Sequence, residues 1–171
     1  MHRPMAMQEM VIYGVSFDAG GKPPIVLLKT AEGDRFLPIW IGHFEAQAIL
    51  MKLQGATAPR PLTHDLFINL LGQLEAKIEK IAVTDLRENT FYAVITLARE
   101  GGGEIEIDSR PSDAIALAVR VDAPIFAADA VIDEASIEFE GDELDEDAIV
   151  DQFKEFLDHV TPDEFAGADE S

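Results

Sequence analysis

With 171 residues and 47% hydrophobic content, the chain can bury a sizeable core and is not a disordered polymer. It has no cysteine, which excludes disulfide frameworks, zinc–thiolate sites and thiol nucleophiles and makes a cytoplasmic setting the expectation. Thirteen Lys and Arg against 33 Asp and Glu give a formal charge of −20, a field that disfavours pure nucleic-acid binding, which relies on basic patches.

The first ten residues hold no apolar h-region, so a signal peptide is not expected, and no apolar run approaches the roughly 18 residues of a membrane span. Residues 10–17 (MVIYGVSF) are β-branched and aromatic and read as a strand, followed by turn chemistry at 18–21. Residues 25–30 pair back as a hairpin, and 35–41 form a third strand in which Pro38 marks an edge or a bulge. From Gly42 the apolar period changes from two to about 3.6, with Ala46, Ile49, Leu50 and Leu53 on one helix face ending at Gly55. A proline-bearing connector, 56–61, leads to a second helix with Thr63 as N-cap and Leu66, Leu70, Leu71 and Leu74 expected to face inward. Strands follow at 77–84, 90–98 and 104–108, split by turns at 88–89 and 101–103. Pro111 then opens a third helix at a position where its missing N–H has no consequence. Residues 124–126 are a short last strand, followed by a brief segment to Ile132.

A shift of 68 residues lays 45–52 (EAQAILMK) on 113–120 (DAIALAVR), and Leu37 and Ile39 on Ile105 and Ile107. Shared amphipathicity can produce a short match of this kind. A register kept through three strands and a helix points instead to duplication. The expected fold is therefore α+β: a mixed or antiparallel sheet from two duplicated β-β-β-α halves, with the Thr63 helix inserted between them. The halves occupy 7–132. An acidic spacer at 133–147 then leads to a tail, 148–171, where Val150, Phe153, Phe156, Leu157 and Val160 predict one amphipathic helix. From Asp133 onward there are 16 acids and one base, so the tail carries most of the excess charge.

No P-loop, dinucleotide fingerprint, nucleophile elbow or zinc-protease motif is present. The remaining polar residues cluster at three junctions: Gly42 to Glu45, Arg60 to Asp65, and Asp108 to Asp113. Singly they have ordinary structural roles, because carboxylates such as Glu45, Asp65 and Asp113 are stabilised in first helical turns. Together they match what phosphodiester hydrolysis requires. Glu45, Asp65, Asp108 and Asp113 could ligate Mg²⁺ or Mn²⁺, His64 could move a proton beside the acids, and Arg60 and Arg110 could clamp phosphate oxygens. Ser112 and His43 complete the candidate substrate-binding set. No organic cofactor is expected.

At these residues the chain resembles a known family. LPIWIG (37–42), RPLTHD (60–65), TFYA (90–93) and DSRPSDAIALAVR (108–120) are similar to the bifunctional nuclease domain of bacteria and plants, over about 7–132. The resemblance implies an α+β fold, homo-oligomers, and DNase and RNase activity. It supplies no catalytic residues to carry over. The first reading is a metal-assisted nuclease with His64, Asp65, Asp108 and Asp113 in the catalytic set. The other is a non-enzymatic oligomeric or regulatory domain whose tail helix binds a protein partner. The two separate on whether the three junctions converge on an open pocket or are saturated by internal bonds.

Overall fold

Strands of alternating β-branched and aromatic residues need neighbours on both edges and a cover on their apolar face. In a computed structural model, which describes residues 5–17, 21–139 and 155, all but the edge strands obtain both. Strands β1 (Met7–Ser16), β2 (Ile25–Thr30) and β3 (Arg35–Trp40) form one antiparallel meander. Strands β4 (Ala76–Arg87), β5 (Thr90–Arg99) and β6 (Glu104–Ser109) form another. The β4–β5 turn is tight: Glu88 and Asn89 both take positive φ (48° and 60°), which matches the twist of a two-residue hairpin.

Each meander is followed by a helix, α1 (His43–Leu53) after the first and α3 (Pro111–Val121) after the second. Helix α2 (Thr63–Gln73) lies between the two units in sequence and packs on α3 and β4. Strand β7 (Ile125–Ala128), helix α4 (Asp129–Ala135) and strand β8 (Ile137–Glu138) complete the described chain. All eight strands make one mixed sheet in the order β6-β5-β4-β7-β1-β2-β3-β8.

β7 joins the meanders, running antiparallel to β1 and parallel to β4. β1 and β4 therefore run in opposite senses, the relation a two-fold axis through the middle of the sheet would impose. The 68-residue shift carries α1 onto α3 end for end.

The main core joins Val26, Leu28, Leu37, Ile39, Ile81 and Val83 of the sheet to residues of the helices such as Ile49, Ile115 and Ile132. A second, smaller cluster uses the alternate positions of β2 and β3. Ile25, Leu27, Phe36 and Trp40 pack there with Tyr13, Ile137 and Phe139, on the opposite face. Phe36 meets Tyr13 edge-on at 5.3 Å and Phe139 at 4.8 Å.

Several expectations change. Thr63 is not the N-cap of α2; Leu62 holds that place, and its N–H donates to Asp65 Oδ2 at 3.0 Å. The inward row of leucines is corrected too. Leu66, Leu70 and Leu74 are 61%, 53% and 67% exposed, whereas Leu71 is buried and Phe67 and Ile68 pack on the core. Helix α2 has two apolar faces, and the one that bears Phe67, Ile68 and Leu71 is the one turned to the core. The first residues assigned to the acidic spacer, 133–139, instead finish α4 and add β8. Arg35 holds them, pairing Asp133 at 2.9 Å and Glu138 at 3.2 Å. Pro38 meets the edge expectation, since β8 covers β3 only at Arg35 and Phe36. Residues 18–20 of the first turn, the rest of the spacer and the tail helix lie outside the described residues, apart from Glu155. No helix among the described residues is long and apolar enough to cross a membrane.

Candidate functional site

The helices that follow β3 and β6 begin side by side, because α1 packs on α3. Each places an acid in its first turn, Glu45 in α1 and Asp113 in α3. Both acids turn to the same cation. Arg110, the N-cap of α3, reaches Glu45 Oε1 with Nη2 at 2.8 Å and Asp113 Oδ2 with Nε at 2.9 Å. Glu45 folds back over Gly42, where a Cβ would collide with its carboxylate, so a side chain at 42 would push Glu45 off Arg110.

Helix α2 brings the third junction in. His64 Nε2 lies 3.0 Å from Asp113 Oδ1, with His64 15% and Asp113 32% exposed. Both oxygens of Asp113 are thus engaged, one by His64 and one by Arg110. The His64 bond, then the Arg110 bond and charge, hold its carboxyl below the usual carboxylate range against a burial effect that would raise it. An ionised carboxylate only accepts, so the proton of this bond sits on Nε2 and neutral His64 keeps its Nδ1 lone pair. Burial works against the Arg110 guanidinium, yet its bonds to Asp113 and Glu45 prevail and raise its pKa.

Asp65, one residue on, is tied differently. It accepts from the Leu62 N–H and from Arg120 Nε at 2.8 Å, and these bonds lower its pKa. Arg120, 7% exposed, also donates to the carbonyls of Ala116 at 2.7 Å and Ala48 at 3.3 Å. It therefore links α1, α2 and α3. Arg120 was missed in the sequence, although its place two helical turns after Asp113 puts both on one face of α3.

The structure brings together His64, Asp113, Arg110 and Glu45, with Asp65 adjacent. It does not bring in the others. Asp108 is exposed on β6, paired across from Val94, and His43 is exposed at the start of α1. Ser112 is 5% exposed and turned away from solvent in the first turn of α3. Arg60 is exposed in the connector before α2.

The expected cation set does not assemble in this arrangement. Among the described residues no three of His, Asp and Glu come together in a group able to hold a metal ion. The physical reason is that guanidinium groups already occupy the carboxylates: Arg110 on Glu45 and Asp113, Arg120 on Asp65. Chemically the cluster offers a carboxylate-oriented histidine with one free ring nitrogen, beside an arginine whose side chain is 53% exposed. The junctions converge, and they are also bonded to one another.

Comparison with known proteins bears on this cluster. A family model described as the bifunctional nuclease domain matches residues 26–140. A Mycobacterium tuberculosis protein described as uncharacterised is 42% identical over 166 residues, spanning 93% of this chain and 98% of its own. Bifunctional nuclease 1 of Oryza sativa subsp. indica is 28% identical over 103 residues, 58% of this chain and 31% of that one. Bifunctional nuclease 1 of Arabidopsis thaliana is 25% identical over 105 residues, 60% of this chain and 32% of that one. The chain thus spans about a third of the plant relatives.

Proposed function

The chain belongs to the bifunctional nuclease domain family, and on that premise we propose that it hydrolyses phosphodiester bonds of DNA or RNA at the meeting point of α1, α2 and α3. The observation that carries the reading is the His64–Asp113 bond beside half-exposed Arg110. In this reading His64 Nδ1 takes a proton from a water as its oxygen bonds to phosphorus. The bond from phosphorus to the leaving oxygen breaks, and that oxygen takes the proton back. Asp113 keeps the imidazole in the tautomer that can do this, and Arg110 meets the charge that builds on the phosphate oxygens. No step is routed through Mg²⁺ or Mn²⁺, because the carboxylates are held by arginines. The metal-assisted version enters as a variable of the test.

The test is hydrolysis of short labelled single-stranded RNA and DNA by purified protein, with Mg²⁺, with Mn²⁺ and with chelator. The His64→Ala/Asp113→Ala variant should lose about 10²–10⁴-fold in rate, the usual worth of a positioned acid–base group. An unchanged rate would assign the activity elsewhere. Loss of wild-type activity in chelator would restore the cation and require Arg110 to leave its carboxylates.

A second reading rests on the outer face of α2. Leu62, Leu66, Leu70 and Leu74 are 39–67% exposed at four-residue spacing, a row without a charge. We propose this row as the seam of a homo-oligomer. Leu66→Glu/Leu70→Glu should lower the mass in sedimentation, and an unchanged mass would remove the seam. A cytoplasmic location, common descent of the two β-β-β-α halves, and recruitment of a protein partner by the tail belong to the same proposal.

A further inference from the structure

Between the C-terminal end of α1 and the connector before α2 lies a cleft of about 330 Å³. That is the small end of the range for ligand sites, about 300–1,000 Å³. Its walls are mostly apolar, with Met51, Pro59 and Leu62 among them, and three cations line it: Lys52, Arg60 and Arg120. Its one carboxylate, Asp65, is already bonded to Arg120. Lys52 and Arg60 are both exposed, and their side chains make no hydrogen bond or ion pair among the described residues. In a chain of 33 acids and 13 bases, a cleft whose lining carries three cations against one acid stands out as a locally positive surface.

The relation between the halves explains why one of these cations is free. Lys52 and Arg120 are equivalent under the 68-residue shift, and both are the base in the last turn of their helix. Arg120 is taken by an acid of α2. α2 has no copy in the other half, so Lys52 has no such acid to meet. An anion is the complementary occupant, and the apolar walls favour one that carries a flat organic body as well.

We propose that this cleft binds a single nucleotide unit through a terminal phosphate, with Arg60 and Lys52 as the phosphate-binding side chains. The choice of a nucleotide over other phosphorylated molecules rests on the nuclease reading. The phosphate chemistry rests on the cleft alone. The ligand is a phosphomonoester, present either as a free nucleotide or as the end of a short strand. Arg60 can grip two phosphate oxygens with its planar fork, and Lys52 adds a point charge.

The test is calorimetric titration of the full chain at low salt with 5′-AMP, adenosine and inorganic phosphate. AMP should bind at least ten-fold more tightly than adenosine. Arg60→Ala and Lys52→Ala should each weaken AMP about 5–30-fold without shifting the unfolding midpoint, and Arg60→Lys should recover part of the loss. A 5′-phosphorylated trinucleotide that outbinds AMP identifies the strand end; one that does not identifies the free nucleotide. Adenosine binding as well as AMP, AMP affinity indifferent to both substitutions, or no binding at millimolar ligand would overturn the proposal. Titration reads binding without turnover, so it separates the two readings. AMP binding in a protein that hydrolyses nothing removes the nuclease and keeps the cleft, while hydrolysis by a protein that binds no AMP does the reverse.

Discussion

Helices α1 and α3 hold equivalent places in the two halves and carry the same electrostatic signature, an acid in the first turn and a base in the last. Each pair complements its own helix dipole. Their fates differ. In α3 the acid binds His64 and the base binds Asp65, and both partners belong to α2. In α1 the acid is borrowed by Arg110 from the other half and the base is left facing a cleft. The inserted helix is what brings the candidate site together on one of two similar units. The difference lies in which unit α2 packs against, not in the units' own composition.

The comparison breaks most visibly at the two last-turn bases. Arg120→Ala removes three bonds from a buried guanidinium and should cost about 2–4 kcal/mol, somewhat less than a fully buried pair because Asp65 is 40% exposed. Lys52→Ala should stay within about 0.5 kcal/mol. Urea unfolding of the two variants checks this, and equal losses would mean the halves are not functionally distinct. The first-turn acids come next. Asp113→Asn removes the charge that both His64 and Arg110 bond, leaving Arg110 with Glu45 alone, and should destabilise by about 1–3 kcal/mol, whereas Glu45→Gln gives up one bond and should cost under about 1 kcal/mol.

Acid sharpens the same contrast. Asp65 and Asp113 are both held below their ordinary value, so their contribution is complete above about pH 4 and is lost as pH falls through the lowered folded values. An Asp65→Asn/Asp113→Asn variant should therefore show a shallower fall of Tm below pH 4 than the wild type. Gly42→Ala should have a modest effect, about 0.5–1 kcal/mol, because the group it displaces is the end of a flexible Glu45 side chain. Its more direct readout is looser Arg110, seen as faster side-chain motion of the guanidinium by NMR.

Much of this was legible in the sequence because its signals are local. β2 has the bounds expected of it, 25–30, Pro111 sits in the first turn of α3, and the repeat register predicted that α1 and α3 would match. The first and third junctions correspond in that register, and their meeting followed from it. The filling of the site did not. Spacing places Glu45, Asp65 and Asp113 at helix starts, but it cannot show that Arg110 and Arg120 would reach them before a cation could. Periodicity likewise gave α2 an apolar face without saying which of two would be buried, and Leu66, Leu70 and Leu74 went to the outside. β8 is two residues long and exists only because β3 offers it an edge.

The small cluster on the far side of β2 and β3 has a practical consequence. Trp40 is the chain's one tryptophan, and there it is 5% exposed among Ile25, Leu27 and Phe36, in the half of the sheet that does not carry α2 and on the face away from the main core. Its emission should be blue-shifted in the native state and move to the red when the first meander opens. Since Lys52, Arg60 and His64 lie elsewhere, quenching by ligand should be slight. The same fluorescence trace can therefore follow folding of that half while absorbance or calorimetry follows the site, giving each variant above a built-in control.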